Sequence, residues 1–387
     1  MVRSSRRDDD AGAIRTRSAK RCTSCGYRVF GWIALAPQQR DATKTRDMVT
    51  RIAWVNLRGG LLAVNARYPY RLPMILVCGE ALYDLFLADS DPQGVIAIDA
   101  WPGGSPFNVA IGLARLGQAV SFFSSISTDV FGEGLVRLLR REGVWDGYLR
   151  RSPAPSTLSI VGAGPQGTPH YSFRGDGAAD RMILAADLPP RITGVHAIHV
   201  GSLATVVRPI GEALRLLVLR ESSNCVVSYD PNVRPTVEPD PDVWRRAVSS
   251  LVTMSHLLKL SAEDIDYLYR GADPKALAAQ WIRAGARLVV LTRGEFGVSA
   301  WTRGVHVQLP AERITVVDTV GAGDAFQAAL LAGLAETGAL SPEAIAELDE
   351  PALSRLLTFA TRAAAITCSR RGADPPRRAE LPALHGR

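Results

Sequence analysis

Short apolar runs alternate with amphipathic stretches along the chain from Met74 onward. Seven runs rich in Val, Ile, Leu or Phe have the pattern of strands: 75–79, 119–124, 157–162, 196–200, 224–229, 256–260 and 287–292. Between many of them apolar residues recur at helical spacing, over 131–143, 208–221, 241–252 and 274–285. This alternation predicts an α/β fold, with a mainly parallel central sheet between two layers of helices.

Two segments break the alternation. Residues 83–100 and 157–174 have the pattern of strands without an intervening helix. They predict a small β-strand lid beside the main sheet, of the kind that closes over a bound substrate. After residue 310 the pattern is mostly helical, over 322–337 and 351–369.

Residues 1–73 differ from the rest in both pattern and charge. They show no sustained hydrophobic period and hold 15 Lys and Arg against 5 Asp and Glu, whereas residues 74–387 hold 30 against 33. Three interpretations stay open: a disordered tail, an organelle-type targeting leader, or upstream sequence translated from a start assigned too early. We expect a disordered basic extension or a misplaced start, followed by one folded domain over 74–387.

Charge and cysteine content exclude several classes of protein. The body of the chain has no excess of positive charge, so a nucleic-acid partner is not expected. No stretch approaches the roughly 18 consecutive apolar residues of a membrane span, so no membrane partner is expected either. Cys22 and Cys25 form a single CxxC without the further ligands that tetrahedral zinc requires, and the other three cysteines are scattered. A reducing cytoplasm is the simplest location.

The segment from Val317 to Phe326, VDTVGAGDAF, carries the clearest chemistry. A strand is expected to end near Val317 and a helix to begin around Gly323. The free N–H groups of the first helical turn then point into the bend, with the positive end of the helix dipole behind them. Gly321, Ala322 and Gly323 are small enough for an anionic oxygen to approach these amides. Asp324 lies beside that anion, either as an ordinary first-turn acid or as a base for an attacking hydroxyl.

An earlier segment, GGSPFNVAIGLARLG over 103–117, has a comparable design. Gly103 and Gly104 let the backbone approach a ligand, and a helix then begins with its N-terminus facing the same point. Asn108 offers both a donor and an acceptor, as recognition of a hydroxyl group requires.

These two segments resemble the two signatures of the ribokinase (PfkB) family of carbohydrate kinases, the later one matching D-T-x-G-A-G-D. The resemblance extends over about residues 74–383. It implies a ribokinase-like three-layer α/β/α sandwich with a β-strand lid and transfer of the γ-phosphoryl group of ATP to a sugar hydroxyl. It also implies Mg²⁺, K⁺ in many members, and a homodimer formed through the lid strands.

The resemblance assigns sugar-binding roles one residue at a time. The segment GEALYD over 79–84 is similar to the opening of fructokinases, in which the Asp that matches Asp84 binds sugar hydroxyls. Asn108 matches an asparagine that contacts the sugar, beside Gly103 and Gly104. Arg174, in the segment YSFR, lies where a side chain of the flap strand reaches the substrate. Asp324 takes the place of the catalytic base.

Nucleotide and metal sites follow from the same resemblance. The segments DPNVR, KLSAED and TRGEFG resemble stretches that border ATP and its metal ion. The residues expected to bind ATP are Asn232, Arg234, Lys259, Thr292, Gly294 and Gly297. Those expected near a metal are Asp264 and its rival Glu263 for magnesium, and Asp318 and Thr319 for a monovalent cation. Here Ser261 and Asp264 replace the usual N-x-x-E pair.

Other classes of function fit the sequence less well. The chain lacks the G-x-x-x-x-G-K-[ST] loop, the H-R-D and D-F-G set, and a dinucleotide fingerprint. Among sugar kinases the motifs resemble fructokinases first and 2-keto-3-deoxygluconate kinases next. A non-catalytic sugar-binding regulator would be expected to lose Asp324, Gly321 or Gly323, and all three are present.

Overall fold

The computed structural model describes residues 74–90, 93–163, 169–190, 192 and 194–384. Within residues 1–73 it describes four short strands. Those four strands pair as two antiparallel hairpins: β1 (Ser18–Arg21) with β2 (Arg28–Gly31), and β3 (Ile52–Leu57) with β4 (Gly60–Asn65). The proposed nature of residues 1–73 stays a prediction, and Cys22 and Cys25 lie outside the described residues. Residues 73–387 form a separate compact unit.

The second unit is built around an eight-stranded sheet. Its strands, in chain order, are β5 (Met74–Cys78), β8 (Ala119–Phe123), β13 (Val195–Gly201), β14 (Val226–Asp230), β15 (Leu257–Ser261), β16 (Leu288–Thr292), β17 (Val298–Trp301) and β18 (His306–Leu309). The spatial order is β18-β17-β16-β15-β14-β13-β5-β8. The six strands from β16 to β8 are parallel, and β17 and β18 add an antiparallel edge. The predicted mainly parallel sheet is confirmed.

Helices cover both faces of this sheet. They are α1 (Ser105–Arg115), α2 (Val130–Glu142), α3 (Ile210–Glu221), α4 (Pro241–Val252), α5 (Ala262–Leu268), α6 (Pro274–Ala284), α7 (Ala322–Glu336), α8 (Pro342–Ala346) and α9 (Glu350–Cys368). Along β5, Ile75 and Val77 belong to the core under α1, α7 and α9, whereas Leu76 and Cys78 belong to the core under α3, α4 and α6. This alternation is the period-two pattern of a strand buried on both faces.

A second, four-stranded sheet stands beside the first. It consists of β6 (Leu82–Ser90), β7 (Ile96–Gly103), β11 (Thr157–Ala163) and β12 (Pro169–Arg174), in the order β12-β11-β6-β7. These strands occupy the two segments that broke the alternation in the sequence. A short parallel pair, β9 (Ser125–Ser127) and β10 (Arg150–Ser152), lies between them in the chain.

One predicted element is wrong. Residues 311–321 contain no strand, so none ends near Val317. The Val317 N–H donates to the carbonyl of Cys368 at the end of α9, and the Val316 and Val317 side chains are exposed. Within the described part of the chain, no strand pairs with this segment. Among the described residues, no helix combines the length and the apolar character that crossing a bilayer demands.

Candidate active site

A cavity of about 1320 Å³ opens at the carboxyl edge of the parallel strands. Ser261 and Thr292, the last residues of β15 and β16, line it, as does Ser202 directly after β13. The four-stranded sheet supplies part of another wall through Asp84 and Phe173. Ligands of α/β proteins bind at this edge because the loops and helix N-termini that follow the strands converge there.

The bend before α7 forms the floor of this cavity. Gly321 has a φ of 75°, and α7 begins at the next residue without a side-chain cap. A Cβ at Gly321 would lie 2.5 Å from the Cβ of Ala373, so the bend excludes a side chain. The Ala322 N–H donates to the Thr319 carbonyl at 3.3 Å. The N–H groups of Gly323 and Asp324, in the first turn, have no intrahelical acceptor and are placed to bind an anion.

Asp324 lies at the meeting point of two helix N-termini. Its Oδ1 accepts a hydrogen bond from the Ser105 hydroxyl at 2.7 Å, and its Oδ2 accepts one from the Asn108 amide at 2.9 Å. All three side chains are buried yet line the cavity. The Gly104 N-cap of α1 has a φ of 101° and also lacks a side-chain cap. Positive ends of both helix dipoles therefore favour a carboxylate at this position.

A buried ion pair lies beneath the bend. The Lys259 ammonium is 2.7 Å from Oδ2 of Asp230, and the two side chains are 4% and 1% exposed. Burial raises the pKa of Asp230 to about 6, Lys259 opposes that shift, and Asp264 and Asp324 add to it. Burial tends to lower the pKa of Lys259, but the surrounding carboxylates, Asp230 foremost, outweigh it and raise that pKa. A cation is thus held next to Gly323, at the anion-binding bend.

Asp84 and Arg234 form another polar part of the cavity lining. Burial raises the pKa of Asp84, and the charge of Asp324 raises it further, whereas the hydroxyl of Ser159 and the guanidinium of Arg234 lower it. Asp84, Arg234 and Asp324 are therefore close enough to interact electrostatically. Leu82, Phe86, Phe173 and Leu203 add an apolar lining to the same cavity.

Most of the other predicted site residues also line the cavity. They are Gly104, Asn232, Thr292, Gly294, Gly297, Glu263 and Thr319. Gly103 packs against the Asp84 carboxylate instead. Asp318 holds the bend, since its two oxygens accept the N–H groups of Val320 and Gly372 at 3.0 and 2.8 Å.

Two predicted residues lie in unexpected surroundings. Arg174 is exposed, does not line the cavity, and donates to the Ser172 hydroxyl at 2.7 Å. Asp264 lines the cavity but is buried, and its oxygens accept the N–H groups of Val233 and Ser261, both at 2.8 Å. It caps α5 in a reciprocal capping box and fixes the loop that carries Arg234.

Sequence reasoning missed several groups in the cavity. Glu80, 1% exposed, accepts the Ala204 N–H, and burial raises its pKa to about 7. Ser105 was hidden inside a recognised motif, where nothing distinguished it from a helix-starting serine. The apolar lining of the remaining wall, Ile314, Val316, Ala364 and Ala365, belongs to no motif at all. Arg313, beside them, is a further cation on the wall.

Comparison with known proteins identifies the family. Residues 72–379 match the model of the pfkB family carbohydrate kinases. The chain belongs to the pfkB family. A relative, the fructokinase of Rhizobium leguminosarum bv. trifolii, is 40% identical over 280 residues, which cover 72% of this chain and 85% of that protein.

Solved pfkB-type structures have the same fold. The fructokinase of Xylella fastidiosa with bound ATP superposes with a TM-score of 0.72 at 28% identity, over 80% of this chain and 95% of that one. The fructokinase of Vibrio cholerae O395, in a form with fructose, ADP and calcium ion bound, gives 0.65 at 25% identity, over 78% and 94%. The predicted ribokinase-like α/β fold is therefore confirmed.

Proposed function

We propose that this protein is an ATP-dependent fructokinase that uses Asp324 as its general base. The observation that carries the proposal is the position of the Asp324 carboxylate. It lies in the first turn of α7, beside free amides, and opens onto a cavity that also holds Asp84, Arg234 and Lys259. The similarity to fructokinases supports the choice of sugar.

The proposed chemistry is an in-line transfer. Asp84 and Asn108 bind hydroxyls of the sugar against the apolar wall of Phe86 and Phe173, and the nucleotide occupies the side near Thr292 and Gly294. Asp324 removes the proton from the attacking sugar hydroxyl. The sugar oxygen bonds to the γ-phosphorus as the bond between that phosphorus and the β-phosphate oxygen breaks. General-base help of this kind contributes about 10²–10⁴-fold in rate.

Positive groups stabilise the charge that moves with the phosphoryl group. The amides of Gly323 and Asp324, the Lys259 ammonium and the Arg234 guanidinium all border the path between the two substrates. Because phosphoryl transfer needs little covalent chemistry from the protein, such preorganised donors contribute a large part of the catalysis.

Magnesium is part of the proposal, and the residues present fit it only loosely. No cluster of three or more metal-ligating side chains occurs among the described residues. Asp264 is engaged in capping, so Glu263, exposed on the cavity wall, is the carboxylate that would hold the ion, together with water and phosphate oxygens. The ion would neutralise charge on the β- and γ-phosphates. Potassium near Asp318 and Thr319, a cytoplasmic location and a homodimer through the four-stranded sheet also remain proposals.

The choice of a neutral sugar over an acidic one rests on a specific observation. A 2-keto-3-deoxygluconate kinase must bind a carboxylate, and Arg174, a candidate to bind a carboxylate or a hydroxyl of the substrate, does not line the cavity. The positive charge of Arg234 lowers the pKa of Asp84, so the Asp84 carboxylate already partly balances that charge. The interaction of Arg234 with Asp84 favours a sugar without charge at that part of the lining, and Arg313 lies beside Ile314 in the same cavity.

A coupled assay of ADP release tests the proposal with fructose, 2-keto-3-deoxygluconate, ribose and adenosine side by side. We expect the highest kcat/KM for fructose. Asp324→Asn should lower kcat at least about 100-fold with little change in sugar KM, whereas Asp84→Ala should act mainly on sugar KM.

Asp273→Asn is the matched control, because Asp273 also accepts N–H groups at a helix start but is remote from the cavity. Near-normal kcat in Asp324→Asn would reject the assigned base. Binding of sugar without turnover of any substrate would favour a regulator, and a preference for 2-keto-3-deoxygluconate would reject the choice of sugar.

A further inference from the structure

The hydrogen bond from Ser105 to Asp324 has no role in the chemistry described so far. Ser105 is 5% exposed and Asp324 is 7% exposed, and their oxygens are 2.7 Å apart. The contact joins residues 219 positions apart in the chain, so tertiary packing creates it. A buried hydroxyl directed at a buried carboxylate is a strong, charge-assisted interaction.

The packing of α1 against α7 fixes this contact. Gly112 in α1 lies so close to α7 that a Cβ there would be 2.7 Å from the Cβ of Ala328. The two helices therefore approach closely one and a half to two turns beyond their starts. Their N-termini are held side by side, and Ser105 and Asn108 of one helix reach the same carboxylate in the other.

The Ser105 hydroxyl does not serve its own helix. In six helices the residue directly before the helix is a cap, because its side chain accepts N–H groups of the first turn. These helices are α2, α4, α5, α6, α8 and α9. Ser105 instead is the first residue within α1, whose N-cap has no side-chain bond. Its hydroxyl is thus committed to Asp324 rather than to the backbone.

A hydroxyl and an amide differ in how they follow a change of protonation. The Asn108 amide nitrogen can only donate, so it needs an oxygen without a proton, which Oδ2 remains in both states when the proton arrives on Oδ1. A serine hydroxyl can donate to the ionised form and accept from the protonated one. Ser105 is therefore the partner that can hold Oδ1 both before and after the proton arrives, while Asn108 keeps its bond to Oδ2.

We infer that Ser105 is a positioning residue that holds Asp324 in both protonation states, an inference that rests on the proposed function. In the first state Ser105 donates to Oδ1. During transfer the sugar O–H bond breaks and the proton moves to Oδ1, while the sugar oxygen bonds to the γ-phosphorus and the bond from that phosphorus to the β-phosphate oxygen breaks, releasing ADP. The new Oδ1–H donates to Oγ of Ser105, which keeps its own hydrogen and turns it toward the cavity that it lines.

The variant Ser105→Ala tests this inference. The ionised base loses a charge-assisted hydrogen bond and the protonated base loses a neutral one that is about half as strong. We therefore expect kcat to fall about 10-fold and the acidic limb of the kcat profile to move upward by about half a pH unit. Sugar KM should stay within about twofold. Ser105→Thr keeps the hydroxyl and should restore most of the rate and the position of the limb.

Two further variants separate positioning from packing. In an Asp324→Asn background, Ser105→Ala should produce no additional loss of kcat, because the base on which it acts is gone. Ser341→Ala is the matched control: its hydroxyl caps α8, away from the cavity, so the variant should lose stability while its pH profile is unchanged.

The possible failures are distinguishable. A lower kcat in Ser105→Ala with an unmoved acidic limb, or additive losses in the double variant, would reduce Ser105 to a packing residue and overturn the inference, while the kinase proposal stood. Near-normal turnover of fructose by Asp324→Asn would overturn both.

Discussion

Replacing Lys259 with methionine removes one partner of the buried ion pair at similar side-chain length. Asp230 would then keep its charge at 1% exposure, and its Oδ1 already has no hydrogen-bond partner among the residues that the structure describes. The carboxylates of Asp264 and Asp324 are close enough to repel it. The variant therefore creates an uncompensated charge in the interior rather than a simple loss of contact.

The expected cost is large and depends on the second partner. Removing one member of a buried pair typically destabilises a protein by about 3–5 kcal/mol, mostly through the charge left behind. Asp230→Asn should cost less, about 1–3 kcal/mol, because Lys259 retains Asp264 and Asp324 as neighbours. In the double variant Lys259→Met/Asp230→Asn no charge is stranded, so its cost should fall about 2–3 kcal/mol short of the sum.

Urea unfolding of the four proteins measures this coupling. Loss of Lys259 should raise the pKa of Asp230 above the value of about 6 that it has in the intact pair. A group whose pKa is raised on folding favours the folded state at low pH and opposes it as the pH rises above its unfolded value. The deficit of Lys259→Met should therefore be full at pH 8 and shrink toward pH 5. Additive costs, or a deficit equal at both pH values, would refute this account.

Two other predictions concern the bend and the buried glutamate. Gly321→Ala should lower kcat more than about 10-fold, since it combines a φ of 75° with a clash against Ala373. Gly338→Ala, at the other end of α7 with a φ of 73° and open space, should cost about 1–2 kcal/mol of stability but no activity; equal loss of kcat in both would contradict this. Glu80→Gln should gain stability relative to the parent as the pH rises from about 4.5 to about 7, by up to about 3 kcal/mol, because only the parent must ionise a buried acid whose pKa is about 7. Denaturant titrations at several pH values check it, and a stability difference that does not change with pH would rule it out.

The sequence predicts the main architecture because the pattern there follows directly from burial. All seven predicted strands occur, and six of them belong to the main sheet, where strands buried on both faces are continuous apolar runs between polar turns. The prediction near Val317 failed because two valines satisfy a strand pattern locally, while a strand also needs a neighbour for its backbone. In the fold the nearest acceptor is the end of α9 rather than another strand.

Site residues were predictable where a motif constrains the backbone. They were less predictable where the direction of the side chain alone decides whether the residue can contact a ligand. Gly321, Gly104 and Asp324 meet at the cavity because two helix starts place them there. Arg174 and Asp264 have the expected residue type and position in the chain. However, one side chain bonds to its own strand and the other caps a helix. Ser105 was recognisable only after packing had brought α1 and α7 together.

The residues that line the cavity come from two separate parts of the fold. The proposed base Asp324 and the neighbouring amides belong to α7, whose residues 324–334 are buried, whereas Asp84, Phe86 and Phe173 lie on the four-stranded sheet. If the proposed roles hold, changes at Phe86 or Phe173 on that smaller sheet would alter the sugar site while α7 stays in place. A scaffold organised in this way can diversify its acceptors while its reaction stays constant.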